Sequence, residues 1–283
     1  MSRIQDILAK AEREGMTRRT QAEPTFASTP SAAVIAPVNG SAALDSSPYL
    51  TAPPPIAAVP TLDTRPAVEP RTARATLHPA LVAAIAPHSA IAEQYRAIRT
   101  RMAHHEDGGP LRNILITSPG AREGKSITAA NLALTMAQEF QRNVVLVDAD
   151  LRGSSVHTLF GLDASPGLAD VLAGDATLDE ALVYLPDYRL TILPAGRTPQ
   201  FPTELLGAAT MRRSMDTLRA RFDRILIDLP AVAPLADVGT VAPLADGVVL
   251  VVRAGITQRP ALEQALGVFE ESKVLGVVLN DAR

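Results

Sequence analysis

The stretch Ile114-Leu115-Ile116-Thr117-Ser118-Pro119-Gly120-Ala121-Arg122-Glu123-Gly124-Lys125-Ser126 decides how the rest of this 283-residue chain is read. An apolar run leads into a loop, and Gly-Lys-Ser opens a segment, Ile127–Phe140, with a helical apolar pattern. Strand, loop and helix in that order are the context of a phosphate-binding P-loop. In such a loop the backbone N–H groups and the helix N-terminus point at the phosphates. Gly124 lets the backbone come close, Lys125 bridges the β- and γ-phosphates, and Ser126 offers its hydroxyl to Mg²⁺. The candidate nucleotide-binding residues are therefore Gly120, Ala121, Arg122, Glu123, Gly124, Lys125, Ser126 and Ile127. The first glycine of G-x-x-x-x-G-K-S/T falls at Pro119, with Gly120 one residue late. On this segment alone, a plain strand–loop–helix turn with a chance Gly-Lys-Ser stays open.

Two further segments bear on that choice. Val144-Val145-Leu146-Val147-Asp148-Ala149-Asp150-Leu151-Arg152 is an apolar run ending in two carboxylates and an arginine. Arg224-Ile225-Leu226-Ile227-Asp228 again ends an apolar run in an acid. Ligands of open α/β sheets bind at the carboxyl ends of the strands, so these acids emerge beside the P-loop. There they suit Mg²⁺ chelation and the orientation of an attacking hydroxyl or water. The three elements together point to nucleoside triphosphate binding with Mg²⁺, with Ser126, Asp150 and Asp228 as the metal candidates.

The surrounding pattern sets the fold class. Strand-like runs at Asn113–Thr117, Asn143–Val147, Arg189–Leu193, Arg224–Ile227, Gly247–Val252 and Val274–Leu279 alternate with helical patterns such as Ser126–Phe140, Thr210–Arg221 and Pro260–Glu271. Nearly continuous Val/Ile/Leu runs mark strands buried on both faces. Repeated βα units imply an α/β, three-layer domain whose mainly parallel sheet is flanked by helices.

Composition bounds the rest. There are 23 prolines, and 11 of them lie between Gln21 and Ala80, among Ala, Ser, Thr and Val without helical or alternating period. Such a stretch buries too little apolar surface to offset its ordering entropy and reads as a disordered lead. Before it, Ser2 and Gln5 have capping spacing, Ile4, Ile7, Leu8 and Ala11 share a helical face, and Gly15 is a natural stop. The expected organisation is a short amphipathic helix in 1–20, a Pro/Ala-rich linker in 21–80 and an ATP-binding domain in 81–283. A formal charge of -3 excludes an unspecific nucleic-acid binder. The absence of cysteine excludes thiolate catalysis and iron–sulfur clusters and fits a cytoplasmic chain. No apolar run is long enough to span a membrane.

The residues after the second motif carry a resemblance. Val-Asp-Ala-Asp-Leu-Arg, followed by Val156-His157-Thr158-Leu159-Phe160-Gly161-Leu162 and Gly167–Gly174, is similar to the bacterial tyrosine kinases of capsule and exopolysaccharide systems. So are Leu193–Pro199 with Pro202-Thr203-Glu204-Leu205-Leu206, and Leu244–Gly255, and Val277-Val278-Leu279-Asn280. The wider relatives are the Min and Par positioning ATPases. The resemblance implies an ATP- and Mg²⁺-dependent protein tyrosine kinase regulating exopolysaccharide assembly. It gives catalytic roles to Lys125, Asp148 and Asp150, with Asp148 orienting or deprotonating the tyrosine hydroxyl and Asp150 supporting the metal. Asp228 becomes the Walker B acid, and Asn280 lies near the adenine. It also implies a membrane-embedded polysaccharide co-polymerase-like activator that recruits the chain to the inner face of the membrane.

Glu93-Gln94-Tyr95-Arg96-Ala97-Ile98-Arg99 fits the family's E-x-x-R-x-x-R. Glu93, Arg96 and Arg99 share a helical face, and the resemblance implies self-association through it. Two departures stand out. The family's Pro-Gly before Glu-Gly-Lys is replaced by Ala121-Arg122, and the C-terminal tyrosine cluster is missing; the tyrosines are Tyr49, Tyr95, Tyr184 and Tyr188. They keep two alternatives in view, a Min/Par-like positioning ATPase and a catalytically degenerate nucleotide-binding scaffold. The signature lysine of the first belongs five residues before Lys125, where this chain has Gly120.

Overall fold

The central strands are apolar at nearly every position, and their side chains divide by parity between two layers, as a sheet covered on both faces requires. β2 (Asn113–Thr117) sends Leu115 to one layer and Ile114 and Ile116 to the other. β3 (Val144–Asp148) does the same with Val145 and Val147 against Val144 and Leu146, and β6 (Arg224–Asp228) with Ile225 and Ile227 against Leu226. β7 (Gly247–Arg253) splits Val248, Leu250 and Val252 from Val249 and Val251.

The computed structural model describes residues 70–103, 111–139, 142–233, 236–270 and 273–281. The expected N-terminal helix, the linker up to residue 69 and Tyr49 lie outside the described residues. The remaining strands are β1 (Arg71–Thr72), β4 (Val183–Leu185), β5 (Leu190–Leu193) and β8 (Val274–Asn280). The sheet order is β1-β4-β5-β3-β6-β2-β7-β8. All pairings from β5 to β8 are parallel, whereas β4 runs antiparallel to β5 and β1 pairs parallel to β4. The expected α/β architecture with a mainly parallel sheet is what the chain adopts.

The helix Lys125–Ala137 is buried at every position but Lys125 and Ile127. Its sequence is apolar almost all round, which suits a helix enclosed on all sides. It lies on the sheet beneath the helices Val82–Ile85 and Ala90–Ala103. The buried Asn131 ties that cover down. Its Oδ1 accepts from Ala83 N at 2.9 Å, and its Nδ2 donates to the carbonyls of Ala80 (3.0 Å) and Ile127 (2.9 Å).

The domain begins earlier than the expected residue 81. Residues 70–80 run along its surface: Arg71 N donates to Leu182 O and Ala73 N to Tyr184 O, forming β1. Ala73, Ala75 and Leu77 then pack on the layer that holds the Lys125–Ala137 helix. The prolines misled the composition here. Alternation of small apolar residues is enough to seat an edge segment when β4 supplies the hydrogen bonds.

A candidate nucleotide and phosphoryl-transfer site

Parallel register brings the acids together. Asp148 on β3 is the direct cross-strand partner of Asp228 on β6, and Ile116 on β2 is the partner of that same Asp228. Both acids therefore end their strands at one level, beside the loop that leaves β2. That loop, 118–124, wraps into the helix at Lys125 through a left-handed Gly124, φ 92°. Arg122 is also left-handed, φ 62°. It occupies a position where the resemblance leads one to expect glycine, and the loop keeps a turn that glycine adopts without strain.

The lysine and the acids interlock. Lys125 Nζ lies 2.7 Å from Asp150 Oδ2 and 3.3 Å from Ser126 Oγ. Burial alone would lower the lysine's pKa, but the charges of Asp228 and Asp150 outweigh it and hold it above its usual range. Asp150 Oδ1 accepts from Gly153 N at 2.9 Å. Asp148 is fully buried. Its Oδ1 accepts from Asp150 N (3.2 Å), and its Oδ2 accepts from Ser155 N (3.2 Å) and Val156 N (3.1 Å). Burial, reinforced by the charge of Asp228, pushes its carboxyl up to about 8 against the pull of the Val156 N–H.

Asp228 is different. It is also fully buried, yet among the described residues neither of its carboxylate oxygens has a hydrogen-bond partner. Burial pushes it up to about 6, while the charge of Lys125 pulls the other way. A buried carboxylate without donors is a costly arrangement that a bound cation or its water shell would satisfy. The loop supplies the complementary half. Among the described residues, the backbone N–H groups of Gly124, Lys125, Ser126 and Ile127 have no acceptor within the chain. An open row of donors beside an orphaned acid fits a phosphate chain and a divalent cation.

The remaining expected residues fall into place around this core. Glu123 turns inward and is buried, its Oε2 accepting from Gly120 N (3.1 Å) and its Oε1 from Thr257 Oγ1 (2.6 Å). Ala121 and Arg122 are exposed on the loop's outer side. Asn280, expected near the adenine, donates Nδ2 to Glu123 O at 2.9 Å and so contacts the loop itself. Thr257 gave no signal in the sequence. Neither did the ion pair that anchors Arg152 of the Asp-Leu-Arg turn. Arg152 Nε and Nη2 reach Asp237 Oδ2 (2.7 Å) and Oδ1 (3.2 Å), and Thr203 Oγ1 donates to the same carboxylate. Burial would raise the Asp237 pKa, but Arg152 and Thr203 outweigh it and hold it below the usual carboxylate range.

The arginines of the E-x-x-R-x-x-R helix are engaged within the chain. Arg96 pairs with Glu93 at 2.7 Å and also donates to Pro87 O. Arg99 donates Nη1 to Thr135 O (2.7 Å) and pairs through Nε with Glu139 (3.2 Å), at the end of the Lys125–Ala137 helix. Glu93 is the exposed member of the three. Tyr95, on the same helix, is buried, and Tyr184 and Tyr188 are half-buried.

A mainly parallel sheet with a glycine–lysine loop and strand-end acids defines a P-loop α/β protein. No protein-family model matches the chain. It is similar to the tyrosine-protein kinase YwqD of Bacillus subtilis (strain 168), 35% identical over 202 residues that cover 71% of this chain and 85% of the relative. The crystal structure of the chimerical protein CapA2B2 superposes with a TM-score of 0.68 at 28% identity, covering 75% of this chain and 93% of that one. The kinase domain of the Escherichia coli tyrosine kinase ETK superposes with a TM-score of 0.67 at 25% identity, over 71% of this chain and 79% of that one. The cell division ATPase MinD of Pyrococcus furiosus matches less well, with a TM-score of 0.50 at 28% identity, over 60% of this chain and 71% of that one. The chain belongs to the bacterial tyrosine-protein kinase family.

Proposed function

We propose that this protein is an ATP-dependent protein tyrosine kinase that serves exopolysaccharide or capsule assembly. The observation that carries the reading is the buried, unpartnered Asp228 set beside Lys125 and the open N–H row of the P-loop. The N–H groups of residues 124–127 and the Lys125 ammonium hold the phosphates of ATP. Ser126, Asp150 and Asp228 would hold Mg²⁺, which would neutralise charge that builds on the transferring phosphoryl group. Lys125, now paired with Asp150 at 2.7 Å, would exchange that partner for a phosphate, and Asp150 would then be available to a cation.

Asp148 receives the acceptor hydroxyl. Burial and the charge of Asp228 raise its proton affinity, so its carboxylate, once ionised, can take the proton of a tyrosine hydroxyl. The N–H groups of Ser155 and Val156 fix its orientation. Catalysis is then positioning and charge stabilisation, with little covalent chemistry left to the protein. Among the described residues Tyr95 is buried and Tyr184 and Tyr188 are half-buried; Tyr49 or a tyrosine of a partner protein is the acceptor this reading favours.

Partnership follows the family's pattern. Among the described residues no helix is long and apolar enough to cross a membrane. A separate membrane-embedded co-polymerase-like protein would activate the kinase and hold it at the inner face of the membrane. Self-association would use the helix bearing Glu93, Arg96 and Arg99, with the exposed Glu93 as its leading contact.

The test is incubation with Mg²⁺-ATP followed by phosphotyrosine mapping of the parent chain, Lys125→Met and Asp148→Asn. Phosphotyrosine on the parent or an added partner, lost in both variants, is expected. ATP hydrolysis with nucleotide-dependent dimerisation and no phosphotyrosine would instead favour a positioning ATPase.

A further inference from the structure

We infer that Thr257 is a positioning residue for the phosphate-binding loop and acts through Glu123; the inference rests on the nucleotide reading above. The loop's Pro-Gly pair, Pro119-Gly120, lies ahead of the turn, and Arg122 within the turn sits in a left-handed conformation that a non-glycine residue rarely adopts. Something outside the loop must hold that shape.

The structure supplies the hold from the ends of β7 and β8. Thr257 is buried, and its Oγ1 accepts from Arg253 N at 2.8 Å. A hydroxyl carries one proton, so accepting there aims that proton at Glu123 Oε1, 2.6 Å away. The other carboxylate oxygen takes Gly120 N at 3.1 Å. Asn280, at the end of β8, donates Nδ2 to the Glu123 carbonyl at 2.9 Å, while its backbone carbonyl accepts from Ala254 N at 2.9 Å. Glu123 is thus held by side chain and backbone at once. Both grips come from segments more than a hundred residues downstream, 134 for Thr257 and 157 for Asn280.

The hold has an electrostatic consequence. Glu123 is the acid nearest in sequence to the open N–H row, and a carboxylate turned toward the phosphates would repel them. Thr257 keeps it pointing inward. Removing the hydroxyl while keeping the shape leaves a buried carboxylate oxygen unpaired, and the side chain regains the choice of turning outward.

The experiment measures Mg²⁺-ADP binding by calorimetry, and hydrogen exchange of the nucleotide-free loop, on the full chain. Thr257→Val is expected to weaken binding about tenfold and to quicken exchange across residues 118–126, whereas Thr257→Ser stays near the parent in both. In a Glu123→Ala background, which removes the acceptor, Thr257→Val should add nothing further; this pair also serves if the single valine variant does not fold. Parent-like binding by Thr257→Val, equal losses in the serine and valine variants, or additive losses with Glu123→Ala would overturn the proposal alone. A parent chain that binds no Mg²⁺-ADP would overturn the nucleotide reading, and this proposal with it.

Discussion

The side chain of Asn280 fills the space that any side chain at Gly124 would need. A Cβ on Gly124 would stand 2.0 Å from Asn280 Nδ2 and 3.0 Å from its Cγ. The same glycine has φ 92°, which a larger residue adopts only with strain. Gly124→Ala is therefore expected to lower stability by roughly 2 kcal/mol and to abolish nucleotide binding. Adding Asn280→Ala relieves the clash but not the backbone strain, so about half the stability should return. Urea unfolding with calorimetry on both variants checks this.

Arg122 gives the opposite sign. Its left-handed backbone costs about 1 kcal/mol that glycine would not incur. Arg122→Gly should raise the urea midpoint without changing the slope of the transition. An unchanged or lower midpoint would mean that the arginine side chain makes up the difference.

Stability should depend on pH through the paired acids. An unfolded aspartate loses its proton near pH 3.9, whereas folded Asp228 keeps its proton up to about 6 and Asp148 up to about 8. In that window the folded state binds more protons than the unfolded state, so the nucleotide-free protein loses stability as pH rises from about 4 to about 8. Asp228→Asn removes one of the two groups. It should stabilise the nucleotide-free protein at pH 7 by on the order of 2 kcal/mol, with little effect at pH 4. Thermal melts at the two pH values, without nucleotide, measure the difference.

The E-x-x-R-x-x-R residues should separate into two classes. Arg99→Ala removes a hydrogen bond to Thr135 O and an ion pair with Glu139, so it should destabilise the protomer by about 1 kcal/mol. Glu93→Ala, at an exposed position, should leave protomer stability within about 0.5 kcal/mol and shift only the association state. Denaturation beside sedimentation velocity distinguishes them. A Glu93→Ala protein that sediments like the parent would count against self-association through this face.

The central sheet was legible because β2, β3, β6, β7 and β8 are long apolar runs, and Asp148 and Asp228 close two of them. Those acids could be picked from the chain for that reason, Asp150 as the acid just after the first and Lys125 from the Gly-Lys-Ser that opens a helix, and the register places Asp148 beside Asp228. β1 and β4 could not. Arg71–Thr72 becomes a strand only because β4 offers hydrogen bonds from more than a hundred residues away, and Val-Tyr-Leu is too short to show a period. Thr257 escaped because a lone threonine after a strand has no local signature, and its partner Glu123 is fixed by the tertiary fold. Arg99 shows the limit of helical periodicity, which placed it on a face with Glu93 but could not show it turning toward Thr135 and Glu139.

The described chain enters the sheet at β1 and leaves it at β8, and these strands are opposite edges. As attachment points for a reporter the two ends are unequal. A fluorophore placed just beyond β8 hangs from the strand whose Asn280 grips the loop, where it would sense nucleotide and disturb it together. One carried ahead of β1 is separated from the loop strand β2 by β4, β5, β3 and β6, and would report on location while leaving the chemistry untouched.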